Sequence, residues 1–144
     1  MNSIEKYTFS GSQIEYVLIP SKVRSIGERS FSNCNKLKSI EIMEDSELQS
    51  ISEFAFFGSK IENLYIPSKI EELKEGWCAG LSKLIYLSVS TKNENYKYVE
   101  NQFLVGKSGK EFNFLVFARR DIKNALIQYI SNKLVVIPFL NAKI

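Results

Sequence analysis

The chain has no histidine, only two cysteines, three prolines and one tryptophan among its 144 residues. Without histidine it lacks the side chain that most often serves as general base or metal ligand near neutral pH. A structural zinc site takes about four closely spaced Cys, His or carboxylate ligands, which Cys34 and Cys78, in different repeats, do not supply. They are also poorly placed for a disulfide. Stacked repeats lie about 4.8 Å apart, so positions two rungs apart are separated by about 10 Å, beyond the ~7 Å a disulfide spans. Both read as small buried hydrophobes. No apolar run approaches the roughly 18 residues of a membrane span, so no membrane insertion is expected. No Asn-x-Ser/Thr glycosylation sequon occurs, and Met1 to Phe9 contains no hydrophobic stretch like that of a secretory leader. The net charge of +3 comes from interspersed Lys and Glu with no long basic run. Nucleic acid is therefore not an expected partner, because phosphate binding shows as a clustered basic face.

What is present is a period. The segment Ile19 to Ile42 joins two successive copies of one short strand, 23 residues apart. A fixed repeat in this range marks a solenoid. Ile4 to Pro20 aligns with Ile51 to Pro67 over 17 positions without a gap, with every apolar anchor paired. The intervening repeat differs by one extra residue between Phe31 and Leu37. In the third copy, Trp77 and Cys78 take the places of Ser30 and Phe31.

Each repeat has two physical parts. Leu37-x-x-Ile40-x-Ile42 recurs as Ile14/Val17/Ile19, Ile61/Leu64/Ile66 and Leu84/Leu87/Val89. Its final residues alternate at period two, which predicts a short strand with one buried face. Pro20 and Pro67 stop their strands, since proline cannot continue the ladder. Because the chain returns to the same edge once per turn, successive strands are expected to pair in parallel. The remainder, Val23-x-x-Ile26-x-x-x-x-Phe31, mixes spacings of three and five and predicts short turns or 3₁₀ pieces. Phe9, Phe31 and Phe56 fall at one position and predict a stacked aromatic column inside the coil.

The composite pattern L-x-x-I-x-I-P followed by V-x-x-I-G-x-x-S-F-x-x-C-x-x-L resembles the leucine-rich repeat of the BspA type. Such repeats occur in surface antigens of oral and gut bacteria and of parasitic protozoa such as trichomonads. The match is good over residues 4–89. Ordinary leucine-rich repeats carry an Asn that hydrogen-bonds the turn eight residues past the Leu37 position; here Asp45, Lys69 and Lys92 stand there. That leaves the phenylalanine column and the prolines to hold the turns.

The period breaks between Ser90 and Asp121. Tyr96 to Val105 and Glu111 to Phe117 are two β-rich runs, and Lys107-Ser108-Gly109-Lys110 is a turn signal, so residues 90–121 read as an inserted hairpin. The frame then returns in Ile122/Ala125/Ile127 and Leu134/Ile137, with Ala142 at the Phe31 position. The expected fold is an α/β-type, mostly β, right-handed leucine-rich repeat coil. It has about four rungs, a parallel sheet on one face and one inserted hairpin, in a single domain of residues 1–144 (repeats 1–89 and 122–144). Both ends fall inside repeats, which predicts a piece of a longer array.

Strand alternation points two columns outward: Tyr16, Ser39, Asn63, Tyr86 and Asn124, and Leu18, Glu41, Tyr65, Ser88 and Leu126. Large apolar and aromatic side chains on a solvent-facing sheet read as a protein-binding surface, since exposed apolar patches usually mark contact. The competing account is that tyrosine simply favours strands. The hairpin aromatics Tyr96, Tyr98, Phe103, Phe112, Phe114 and Phe117 read as core. Lys107, Lys110, Arg119 and Arg120 read first as a solvated turn and second as a small basic spot. The carboxylate pairs Glu44/Asp45 and Glu71/Glu72 sit on turns with no nucleophile or base beside them, so no enzyme, catalytic residue or cofactor is expected. The resemblance implies a cell-surface or extracellular antigen or adhesin whose ligand is a host or matrix protein. The alternative is an intracellular protein–protein scaffold.

Overall fold

Alternation at Ile40 and Ile42, with Glu41 between them, sets the geometry of a short strand. The two isoleucines are buried and the glutamate is exposed. The computed structural model of the chain describes residues 2–99, 103–108, 110–118, 125–130 and 133–138. These fall in two compact units, Met1–Asn93 and Glu94–Ile144. The strands of the first unit are β1 (Ser3–Ile4), β2 (Tyr16–Ile19), β3 (Ser25–Ile26), β4 (Ser39–Ile42), β5 (Ser50–Ile51), β6 (Asn63–Ile66), β7 (Glu72–Leu73) and β8 (Tyr86–Val89). They make two sheets, β2-β4-β6-β8 and β1-β3-β5-β7, both parallel throughout. The first unit therefore winds as a β-solenoid of four turns, one strand per sheet per turn. No helix occurs among the described residues, so the α part of the expected class is absent.

The second sheet corrects the expectation of turns alone between Val23 and Phe31. Its strands are two residues long, too short to show period-two alternation, and parallel pairing of Ile4, Ile26, Ile51 and Leu73 across rungs defines them. Beyond them the return arm does consist of tight turns with a repeating bond scheme. The amides of Tyr7, Phe9 and Gly11 donate to the carbonyls of Glu28, Ser30 and Ser32 in the next rung, at 2.7–3.0 Å. Those of Arg29, Phe31 and Asn33 donate to Glu53, Ala55 and Phe57, at 2.7–3.1 Å. Intervening amides close local turns, as Ser30 to Gly27 and Ser32 to Arg29. The buried backbone is thus paired either within a turn or with its neighbour rung, as burial demands.

This scheme places two residues per rung in the left-handed region. One column is Tyr7, Arg29, Phe54 and Gly76; the other is Gly11, Asn33, Gly58 and Gly80. The second column holds residue types that tolerate that conformation. The first holds Tyr, Arg and Phe at φ of 61°, 52° and 55°, each costing about 1–2 kcal/mol. Cross-rung hydrogen bonds from the Tyr7 and Arg29 amides offset that strain at those two positions.

The core lies between the two sheets and the arm. Ile19, Ile26, Phe31, Leu37, Ile51, Phe56, Ile61 and Ile66 are fully buried. The aromatic column forms as expected, with Phe9 and Phe31 rings 5.1 Å apart and Phe31 and Phe56 5.9 Å apart, both stacked. The next rung presents Cys78, so the column stops at Phe56. Cys34 is buried, its thiol 3.0 Å from the Phe9 carbonyl, but Cys78 is only half-buried and does not fit the expected apolar role. Neither cysteine is in a disulfide.

The turn after β8 brings a second correction. Asp45, Lys69 and Lys92 are exposed, as expected of a missing Asn ladder, yet Asn93 one residue later is buried. Its amide nitrogen donates to the carbonyls of Pro67 at 2.8 Å and Ile70 at 3.2 Å. Asn93 stands four residues past Val89, as Val23 and Ile70 stand past Ile19 and Ile66. The turns after β2 and β6 therefore bury an apolar side chain at this position, and those after β4 and β8 a polar one, Ser46 and Asn93.

The second unit contains β9 (Tyr96–Val99), β10 (Phe103–Ser108), β11 (Glu111–Ala118), β12 (Ala125–Ile130) and β13 (Lys133–Pro138). β10 and β11 are an antiparallel hairpin, with Ser108 opposite Glu111 and register shifts after Leu104 and Gly106. The run Tyr96 to Val105, expected as one strand, is two: β9 pairs antiparallel with β10, Val99 opposite Phe103. Tyr96 and Phe103 are buried, whereas Tyr98 and Phe117 are half-buried. The side chains of Phe112 and Phe114 lie outside the described residues. A strand does occur at 125–130, but its partner is β13 in an antiparallel ladder, Leu126 opposite Ile137. A parallel rung neighbour is what the returning period predicted. Six residues, Ala125 to Ile130, joined by two to another six leave room for a hairpin, and a single-sequence period does not distinguish the two pairings. Arg119, Arg120, Ile122, Asn124, Ala142 and Ile144 lie outside the described residues.

Candidate protein-binding face

β2, β4, β6 and β8 present one outward row in which Tyr16, Ser39, Asn63 and Tyr86 stand in register, strand to strand. Two residues on, Leu18 stands opposite Glu41 and Tyr65 opposite Ser88. Parallel strands about 4.8 Å apart hold these side chains on one face. Tyr16, Leu18 and Tyr86 are 53%, 50% and 64% exposed. Glu41 and Asn63 are exposed as well, while Ser39, Tyr65 and Ser88 are half-buried. The structure thus brings together eight of the ten residues expected there. Asn124 lies outside the described residues, and Leu126 lies in the second unit, on β12, with its side chain undescribed.

The tip of Tyr16 is already engaged. Its hydroxyl donates to the Glu41 carboxylate on the neighbouring strand. That bond, followed by burial and by the charge of Glu41, pushes the phenol above its ordinary value. The ring is left as a fixed apolar plate whose polar end is spoken for. Fixing a side chain before contact lowers the entropy lost on binding.

Two shallow grooves flank this sheet. One, of about 560 Å³, lies at the start of the strands and is lined by Lys38, Lys60, Glu62, Lys83, Leu84 and Ile85, among others. The other, of about 500 Å³, lies past their ends, between Met43, Glu44, Asp45, Ser68, Lys69 and Lys92. There the Ser90 hydroxyl donates to Glu44 at 2.8 Å, over two rungs of the coil. Ile85, 66% exposed, was missed from the sequence. The available signal was an isoleucine in a column otherwise occupied by Glu15, Lys38 and Glu62.

The carboxylate pairs do not form a reactive centre. Glu44, Asp45, Glu71 and Glu72 are exposed, and Glu72 is 2.7 Å from the Lys74 ammonium, which holds the lysine above its ordinary range. Among the described residues no group of three His, Cys, Asp or Glu side chains could hold a metal ion. Among the described residues no helix is long and apolar enough to cross a membrane.

A solenoid built from short parallel strands, with an anchor leucine or isoleucine per turn, is a leucine-rich repeat architecture. The model of the BspA-type leucine-rich repeat region matches residues 2–130 in six copies. The chain belongs to that family. Among solved structures it is similar to the pneumococcal vaccine antigen PcpA, with 28% identity and a TM-score of 0.70 over 74% of this chain and 26% of that one. It is also similar to a leucine-rich cell surface protein from Faecalibacterium prausnitzii, at 21% identity and a TM-score of 0.66, over 77% and 29% of the two chains. A leucine-rich repeat protein from Bacteroides capillosus shares 26% identity at a TM-score of 0.55, over 61% and 62%. The chain spans about a quarter of the length of the first two. No curated protein matches it.

Proposed function

We propose that the chain is a non-enzymatic protein-binding module of a cell-surface or extracellular protein, an antigen or adhesin that contacts a host or matrix protein along the outward face of β2, β4, β6 and β8. The observation that carries this reading is the set of Tyr16, Leu18 and Tyr86, all at least half exposed on one face of a sheet whose other face is core. Tyrosine gives broad contact area at little entropic cost and is enriched at interface hot spots. The surface placement is supported by the family and by the likeness to PcpA, a vaccine antigen. We read the coil as right-handed, the hand of nearly all crossovers between parallel strands. Residues 90–121 are read as an insert within one array, because the family match continues to residue 130.

The test is binding to a panel of immobilised purified matrix and plasma proteins. The chain with Tyr16, Tyr65 and Tyr86 all replaced by alanine is expected to lose at least about a hundredfold in affinity for whichever protein it retains, as hot-spot truncation does. Unchanged binding by that variant sinks the assignment. The second reading, an intracellular scaffold, draws on Cys34 and Cys78 lying outside any disulfide, since thiols persist in reducing compartments. Labelling of intact cells with a membrane-impermeant reagent separates the two. Protection until lysis excludes the surface reading.

A further inference from the structure

The charges on the return arms are neutralised from rung to rung. Lys6 meets Glu28 at 2.7 Å, Lys22 and Arg24 meet Glu47 at 2.7 and 3.2 Å, and the two bonds hold Glu47 below the ordinary carboxylate range. The start of the β4, β6 and β8 turns is different. Lys36, Lys60 and Lys83 each immediately precede the anchor residue of their turn (Leu37, Ile61, Leu84) and form a column of like charge. Lys38 lies beside it, one residue past its anchor. None of the four makes an ion pair with any described residue. The rungs here are firmly stacked, with Lys60 N donating to Leu37 O at 3.1 Å, Glu62 N to Lys38 O at 3.0 Å and Ile85 N to Glu62 O at 2.8 Å. Lysines repeated on adjacent rungs at ~4.8 Å repel one another, and no ion pair among the described residues offsets that repulsion.

Three of these lysines, Lys38, Lys60 and Lys83, line a groove of about 560 Å³ whose apolar lining is Leu84 and the exposed Ile85. Cations around an apolar floor complement a ligand with carboxylates on either side of an apolar group. Glu62 also lines the groove, and its charge disfavours a uniformly charged polymer lying across the column. A peptide avoids that penalty by placing a neutral amide there.

We infer that the groove lined by Lys38, Lys60, Lys83 and Ile85 binds an acidic peptide segment of a partner protein, with an apolar side chain seated on Ile85 and carboxylates on the lysines. This rests on the protein-binding reading only in taking the partner to be a protein; its residues are separate from the outward columns.

The experiment is fluorescence anisotropy with a labelled short peptide carrying glutamates on both sides of a leucine, against the same peptide with glutamines. Circular dichroism confirms that each variant folds. Saturable binding of the glutamate peptide is expected, weakening as sodium chloride is raised, with the glutamine peptide at least about tenfold weaker. K60Q/K83Q is expected to lose about tenfold, and I85S about fivefold, from loss of apolar contact. E62Q is expected to bind about threefold tighter, because a repulsive charge is gone. Equal binding of the two peptides, or weaker binding by E62Q, overturns the inference. So does equal binding of a peptide with glycine in place of leucine, or tighter binding of a linear sulfated polysaccharide, either of which points to a bulk polyanion. The variant lacking Tyr16, Tyr65 and Tyr86 should bind the peptide normally. If the peptide is lost in that variant but kept in K60Q/K83Q, the groove assignment fails and the sheet-face assignment stands.

Discussion

Replacing Phe31 by alanine removes the centre of the aromatic column and should be the most damaging single truncation along it. The ring is fully buried and stacks on two partners, Phe9 at 5.1 Å and Phe56 at 5.9 Å. Truncating a buried phenylalanine costs about 3–5 kcal/mol through lost transfer energy and the cavity left behind. Each stacked pair carries about 0.5–1.5 kcal/mol beyond area, so Phe31→Ala is expected near the top of that range. Phe9 is 37% exposed with a single stacking partner, and Phe9→Ala is expected to cost about 1–2 kcal/mol by the same scaling. Since a rung touches only its neighbours, the double variant should fall short of additivity by one stacking energy, about 0.5–1.5 kcal/mol. Urea unfolding can be followed by the fluorescence of Trp77, the one tryptophan, which is 2% exposed in the same unit. If Phe31→Ala costs no more than Phe9→Ala, or the two add within ~0.3 kcal/mol, the column is filling space and not coupling rungs.

Other outcomes follow from single contacts. Asn93→Ala removes the donor to the Pro67 and Ile70 carbonyls and should cost about 2–3 kcal/mol in urea unfolding, because two buried acceptors lose a partner. Gly27→Ala would put a methyl 2.7 Å from the Ile4 carbonyl oxygen and 2.8 Å from Lys6 N. Both neighbours are backbone, so a loss of about 1–3 kcal/mol by thermal unfolding is expected. Tyr16 has its pKa raised by Glu41, so its contribution to stability is full below the unfolded tyrosine value of about 10 and is lost as pH rises through the folded one. The difference in ultraviolet phenolate titration between the chain and its Tyr16→Phe variant should therefore lie above that of a free tyrosine. Glu41→Ala should bring it back, and an unmoved curve contradicts the bond.

In this chain the repeat itself carried much of the fold. In a parallel coil each residue's neighbour is the residue at the same position one turn away. A linear period in Ile19, Ile42, Ile66 and Val89 is therefore already a statement about contacts, and the Phe9–Phe31–Phe56 column and the sheet-face rows were legible for that reason. The tertiary structure decided what a period does not encode. Two-residue strands at Ser25–Ile26 and Ser50–Ile51 exist only through their cross-rung bonds. Left-handed turns at Arg29 and Phe54 go against local preference, and their cross-rung neighbours hold them there. Asn93 looked like one more polar loop residue until the turn closed over it. Strand direction was also invisible in β12, because a strand's side-chain alternation is the same whether its partner runs parallel or antiparallel. The unpaired lysines gained meaning only when stacking put Lys60 and Lys83 on the rim of one groove with Ile85. Sequence spacing determined which residues share a column; three-dimensional packing determined which columns meet.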